Sequence, residues 1–377
     1  MLKFEKPKSW PNVPFKTWQY QGQTEMKHKV FSYYLPIWLQ ILGSYNNNLN
    51  YVDGFGGIGA YHTDKDVKKY HSNSFGSPVL SISKISELEN KGTIKKANTI
   101  IIDEDGNNLE NLKKILEYKN LDTNGKILFI KGDFDREINS ILDQIDKLAP
   151  TFFLIDPFGI KIKIATLERI MSRPHTEILL NFMYNALQRF IDHPNPQMNK
   201  IYDDYFGDNS WRKAKGKYLK ERENELINTF KINCKKFSNF VYPFRLCFPD
   251  QKKTYYYLFH LTKHRKGCCL MKESFAKFNG GKDEYLGNMF QSTLFDKINE
   301  KEKRENFIKK IDLHYNNKTV KYSDIIDDWI DNTDLLEQEI KKLLQFQEEK
   351  LFTVEPFKGR KRRGGIEEND KLVFIPR

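Results

Sequence analysis

A chain of 377 residues exceeds one compact domain and predicts a main unit of about 250 residues or more with a smaller appendage. Hydrophobic residues at 39% suffice for a core, while 30% charged residues and the lack of any apolar run of about 18 residues exclude a membrane-embedded class. A net charge of +12 draws phosphates and makes nucleic acid a candidate partner, with solubility alone as the equal alternative.

The opening MLKFEKPKSWPNVPF lacks a signal peptide's apolar run and small-residue cleavage site, which predicts a cytoplasmic chain. From Met26 to Leu42 the residues Val30, Phe31, Tyr34, Leu35, Trp38 and Leu39 recur at helical spacing, an amphipathic helix that Pro36 should kink. Leu49 to Phe55 reads as a buried strand running into a glycine-rich loop. Tyr61 to Phe75 reads as a polar loop, with a helix only after Gly76-Ser77-Pro78.

Beyond it, short apolar strands alternate with helix-length stretches, as a parallel sheet requires. Strands are predicted at Thr99 to Asp103, Ile127 to Lys131, Phe152 to Ile155 and Glu177 to Phe182. Helices are predicted at Asn107 to Tyr118, Arg136 to Leu148 and Ile164 to Met171. Polar or acidic residues end each strand and so share the carboxyl edge, where open α/β sheets bind ligands. A charged helical insertion with Trp211 follows at about 183–238. Asn239 to Phe248 and Thr254 to Thr262, parted by PDQKK, predict an antiparallel hairpin, then a basic turn from Lys263 to Gly267 and a further run, Cys268 to Lys272.

From residue 297 the character changes. Helices at Tyr322 to Ile330 and Leu335 to Leu351, then strands at Phe352 to Phe357 and Lys371 to Ile375 around GRKRRGGIEEN, outline a winged-helix-like module. The expected organisation is an α/β domain over residues 1–296 and a winged-helix-like domain over 297–377. Cys234, Cys247, Cys268 and Cys269 make no C-x-x-C pair and read as reduced, mostly buried thiols, a metal or redox role being the minority reading. His260 and His264, four apart with no third ligand, read as surface residues.

The chemistry concentrates at Asp53-Gly54-Phe55-Gly56-Gly57-Ile58-Gly59, directly after the strand LNYV. Glycines there let the backbone turn tightly and approach a ligand. Asp103, Asp133 and Asp156 close the next three strands or their loops. Carboxylates around one glycine crevice carry the wrong charge for a phosphate-rich ligand and suit hydroxyls, an adenine amine and a cationic centre. No G-x-x-x-x-G-K-[ST] run exists, and no helix follows the glycines at once to hold a pyrophosphate. S-adenosylmethionine, which has no phosphate, fits that pattern.

These residues resemble the class I methyltransferases. Asp53, Phe55, Gly57 and Gly59 match the D-x-F-x-G-x-G loop of several nucleic-acid methyltransferases, which implies a Rossmann-like sheet with Asp103 at the ribose and Asp133 at the adenine. Over most of the chain YVDGFGGIGAY, FFLIDPFG, LLNFMYNALQRF and HLTKHRKGCCLMKESF look like the three-Cys-motif partner proteins. That resemblance implies a methyltransferase-like fold and a neighbouring cysteine-motif protein as partner.

Asp156-Pro157-Phe158-Gly159 sits where amino-methyltransferases carry a D-P-P-Y motif, and resembles the version in tRNA guanine-N2 methyltransferases. An exocyclic amine is a poor nucleophile, and Asp156 with the Pro157 carbonyl would accept its two N–H bonds while Phe158 stacks on the base. Asn181 and Asn185 follow on the same edge. Base C5 methylation needs a nearby cysteine nucleophile, and Cys234 is far away in sequence. In the proposed wing, Lys358, Arg360, Lys361, Arg362 and Arg363 fit phosphate contacts, although the acidic helices before it suit a protein partner better than a DNA groove. Two rival functions stay open: a non-catalytic adaptor in a defence or modification system, and a metal-dependent nuclease using Asp53, Asp133 and Asp156.

Overall fold

The computed structural model describes residues 6–20, 22–248, 253–279, 284–285, 294–359 and 364–376. Its central sheet contains β1 (Leu49–Asp53), β2 (Ala97–Asp103), β3 (Ile127–Lys131), β4 (Thr151–Ile155), β5 (Thr176–Phe182), β6 (Phe240–Cys247), β7 (Thr254–Thr262) and β8 (Glu284–Tyr285). Their spatial order is β3-β2-β1-β4-β5-β7-β6-β8. The first five run parallel, and β7 is antiparallel to both β5 and β6. This is a Rossmann-like α/β sheet.

Covering both faces explains why β1, β4 and β5 are buried along their whole length. Alternation along β4 sends Phe152 and Leu154 into one core and Phe153 and Ile155 into the other. The first face is packed by α1 (Gly22–Gly43), α2 (Ser77–Asn90) and α9 (Arg265–Asn279). The second lies under α4 (Phe134–Gln144), α5 (Ile164–Met171), α6 (Tyr184–Phe190), α7 (Pro196–Phe206) and α8 (Leu219–Cys234), whose aromatic centre is Phe182, Tyr205 and Phe230. Between β2 and β3 runs α3 (Gly106–Tyr118), with Leu112 and Ile115 fully buried.

Two predicted stretches differ. The run from Cys268 to Lys272 lies inside α9, because Cys268, Met271 and Phe275 are buried at helical spacing, and the helix already begins within the basic turn at Arg265. The polar loop from Tyr61 to Phe75 carries two short strands, Ala60–His62 and Ser74–Phe75, which join Lys8–Ser9 and Lys16–Gln19 in a separate four-stranded sheet. Asn111 of α3 ties that sheet down: its Oδ1 accepts from Lys16 N at 2.7 Å, and its Nδ2 donates to Lys16 O at 3.0 Å and Ile58 O at 2.8 Å.

The C-terminal segment is α10 (Leu294–Tyr315), α11 (Tyr322–Trp329) and α12 (Glu337–Gln347) with a three-stranded sheet of Thr319–Lys321, Lys371–Phe374 and Phe352–Glu355 in that order. Its buried residues Ile311, Ile326, Leu344 and Phe374 belong to the same apolar cluster as Val30, Phe152 and Met271 of the main unit.

Candidate cofactor and substrate cleft

The chain moves from β1 outward to β2 and β3, then returns to the other side of β1 as β4, so the switch point lies between the carboxyl ends of β1 and β4. The glycine loop fills that point. Gly54 N donates to Leu154 O at 2.9 Å and Gly56 N to Ile102 O at 2.8 Å, which fastens the loop to the strands on either side. Gly56 and Gly59 press on α3 and β2: a Cβ on Gly56 would lie 2.5 Å from Ile101, and one on Gly59 2.1 Å from Leu112. Gly57, at φ +60°, has open space on that side out to the Trp18 ring at 3.6 Å, so its face forms a wall of the cleft.

Asp53 does not reach into the cleft as the sequence suggests. It is 0% exposed, and its carboxylate accepts from Tyr51 OH at 2.9 Å and Phe55 N at 3.2 Å, bracing the turn from behind. Burial pushes its pKa up to about 6. Phe55 leans on Phe134, with ring centroids 5.8 Å apart. Asp103 does face the loop, with its Oδ2 accepting from Gly57 N at 2.7 Å, while Oδ1 takes Asp105 N and Asn108 Nδ2. Asp133 caps α4 by accepting from Arg136 N at 3.0 Å.

The donor set suits an uncharged nucleoside. Asp103 Oδ2 has one partner and lone pairs to spare for hydroxyls. The glycine loop leads into the Ala60–His62 strand, and α2 starts only at Ser77, so no helix N-terminus follows directly to hold a phosphate.

Asp156 follows β4 beside this crevice. Its Oδ2 is ion-paired with Lys27 Nζ, and its Oδ1 accepts from Asn181 Nδ2 at 2.6 Å. Lys27 is only 7% exposed on α1, and the Oδ1 of Asn181 is buried with no partner. Pro157 is buried, whereas Phe158 is 55% exposed and meets Trp18 edge-on at 6.4 Å. Tyr20 stacks on His28 at 5.8 Å and meets Tyr61 at 5.2 Å, which completes an aromatic wall beside Lys27. Burial, and then the neighbouring Lys27 charge, bring the His28 pKa down to about 3, so that ring is neutral. Asn185 accepts from Gln188 Nε2 at 3.1 Å within α6.

The structure therefore brings together Gly57, Asp103, Asp156, Pro157 and Phe158, sets Asp53 behind them, and puts Asp133 at the start of α4. Trp18, Tyr20, Lys27, His28 and Tyr61 escaped the sequence reading. One signal was legible: Lys27 precedes Val30 and Phe31 by three and four positions, which puts a lysine on the apolar face of its helix.

Elsewhere, Lys358 is exposed at φ +50°, while Arg360, Lys361, Arg362 and Arg363 lie outside the described residues. All four cysteines are buried thiols outside any disulfide. His260 is not a surface residue: it is 0% exposed, with Nε2 3.0 Å from Glu177 Oε2, because β7 is an interior strand covered on both faces; His264 is exposed. Among the described residues no group of three or more His, Cys, Asp or Glu could hold a metal ion, and no helix is long and apolar enough to cross a membrane.

No family model and no curated protein matches the chain. Among solved structures, one Legionella pneumophila protein is 12% identical, with 70% of this chain and 95% of that one covered at a TM-score of 0.39. Human methyltransferase-like protein 13, solved with SAH, is 12% identical over 67% of this chain and 92% of that one, TM-score 0.35. TYW2 of M. jannaschii, solved with AdoMet, is 12% identical over 68% and 85%, TM-score 0.31.

Proposed function

We propose that the chain is an S-adenosylmethionine-dependent methyltransferase acting on an exocyclic amine of a nucleic-acid base. The observation that carries this reading is the Asp156 carboxylate, held by Lys27 and by Asn181 Nδ2 just past the end of β4 and beside the glycine loop. An exocyclic amine has two N–H bonds and a lone pair delocalised into its ring. Acceptors on both N–H bonds localise that lone pair on nitrogen, and an acceptor fixed in place before reaction costs no reorganisation.

S-adenosylmethionine supplies an electrophilic methyl group on a sulfonium, and Gly57 with Asp103 would hold its nucleoside. Asp156 accepts a hydrogen bond from one amine N–H, and the Pro157 carbonyl accepts one from the other. The proton the nitrogen sheds after transfer leaves by way of Asp156 to water. Lys27 keeps Asp156 oriented, and Phe158 and Trp18 offer faces to a base drawn out of its stack. The C-terminal segment, read as a winged-helix-like module with Lys358 and the basic residues after it, would grip phosphate backbone, and a three-Cys-motif protein would be its protein partner.

A second reading, the non-catalytic adaptor, draws on one observation: both oxygens of Asp156 are already engaged, one by a buried lysine. Calorimetry with S-adenosylmethionine and transfer of labelled methyl to total nucleic acid separate the two. The expected result is cofactor binding and transfer in the natural chain, with transfer abolished and binding kept in Asp156→Ala. Unchanged transfer in that variant removes Asp156 from the mechanism, and absent binding at millimolar cofactor favours the adaptor.

A further inference from the structure

On the amino edge of the sheet, opposite the glycine loop, a cavity of about 810 Å³ opens between α1, the start of β5, the end of β7, the first turn of α9 and the C-terminal segment. Glu177 lines it and is 6% exposed. Its Oε2 accepts from Tyr34 OH and lies 3.0 Å from His260 Nε2, whereas Oε1 carries no hydrogen bond among the described residues and points at Gly267, where a Cβ would sit 2.6 Å away. Trp38 lines the same space at 3% exposure.

Cations stand at the other side of this space. Lys263 and Lys266 line it, as do His175 and His264, whose rings stack at 5.8 Å and 5°. Arg265 is committed to Asp327, at 3.2 Å, and to Glu368, and so fastens the C-terminal segment at the rim. Lys266 is exposed and makes no ion pair among the described residues.

The volume falls in the range of about 300–1,000 Å³ common to small-molecule sites, and Trp38, Phe240 and Leu270 supply the apolar walls such sites need. We propose that this cavity is a second small-molecule site, for a nucleoside phosphate. Its base and ribose lie against those walls, one of its N–H or O–H groups donates to Glu177, and its phosphate meets Lys263, Lys266 and His264. Ser323 and Asp327 of α11 share the lining, so the ligand touches the sheet and the C-terminal segment together.

The site is independent of the methyltransferase reading, and its test is separate. The full chain is titrated by calorimetry with AMP, GMP, ATP, adenosine and inorganic pyrophosphate. At least one nucleotide is expected to bind with Kd below about 100 µM, and adenosine at least about tenfold more weakly. Lys266→Glu should weaken the nucleotide several-fold and Trp38→Phe, which thins the apolar wall, should weaken it to a lesser degree, while Asp103→Ala, in the glycine crevice, leaves it unchanged. Lys266 is exposed, so its variant decides the matter should Trp38→Phe fail to fold. Three outcomes overturn the proposal: no nucleotide binding at about 5 mM, pyrophosphate binding as tightly as any nucleotide, or loss of binding in Asp103→Ala.

Discussion

Lys27 of α1 is ion-paired with Asp156, just past the end of β4. The two are 129 positions apart, and only the packing of α1 across the end of β4 brings them together. The pair is partly buried, the side chains being 9% and 22% exposed, so removing the cation leaves a carboxylate short of compensation. Lys27→Met should therefore cost about 1–3 kcal/mol of stability, a figure at the lower end for buried pairs because Asp156 keeps some water. The double variant Lys27→Met, Asp156→Asn should recover most of that loss in urea unfolding, since no charge is then stranded. Methyl transfer should stay lost in both, while cofactor binding is kept. Equal losses that simply add would show that the ion pair is not what couples these residues.

At the scale of elements, periodicity and strand ends found the central sheet because its inner strands β1, β4 and β5 are buried on both faces and read as nearly continuous apolar runs. Ile127–Lys131 and Thr254–Thr262 were found to the residue. The N-terminal sheet escaped because Lys8–Ser9 and Ser74–Phe75 have two residues each and are set by pairing with distant partners, not by local pattern. That omission also hid Trp18, which the sheet delivers to the open face of Gly57. The glycine motif itself was legible, but one sequence pattern covers two physical roles. Gly59, at φ +82° with Leu112 2.1 Å from any Cβ, is required by packing. Gly59→Ala should cost about 2–4 kcal/mol, the sum of a left-handed penalty and overpacking. Gly57→Ala meets nothing closer than 3.6 Å and should cost only about 1–2 kcal/mol, yet intrude on the cleft. Thermal unfolding should then rank Gly59→Ala as the more damaging, and cofactor calorimetry on the folded fraction should rank Gly57→Ala so. A reversed ranking would mean that Gly57 does not line the cofactor's path.

Over the whole molecule, the change in composition near residue 297 does not coincide with a break in the core. Ile326 and Leu344 share one apolar cluster with Leu35 of α1 and Leu258 of β7, and such sharing leaves no trace in a local pattern. Polar bolts reinforce it. Asp331, 1% exposed, accepts from Val241 N at 2.7 Å and pairs with Lys235 at 2.6 Å. Lys272 of α9, 2% exposed, donates to the carbonyls of Ile330 and Thr333 at 2.7 Å and of Leu335 at 2.6 Å. Burial brings its pKa down to about 8, still above neutrality, and three carbonyl acceptors use all three ammonium hydrogens. Lys272→Met fills a similar volume but leaves three carbonyls without a donor, so it should destabilise the fold by about 3 kcal/mol. The loss should be local: hydrogen exchange should accelerate through 322–347 while β1 and β4 keep their protection, because their contacts do not pass through this turn. Uniform acceleration across both regions would instead show that the C-terminal segment and the sheet open only together, as one cooperative unit.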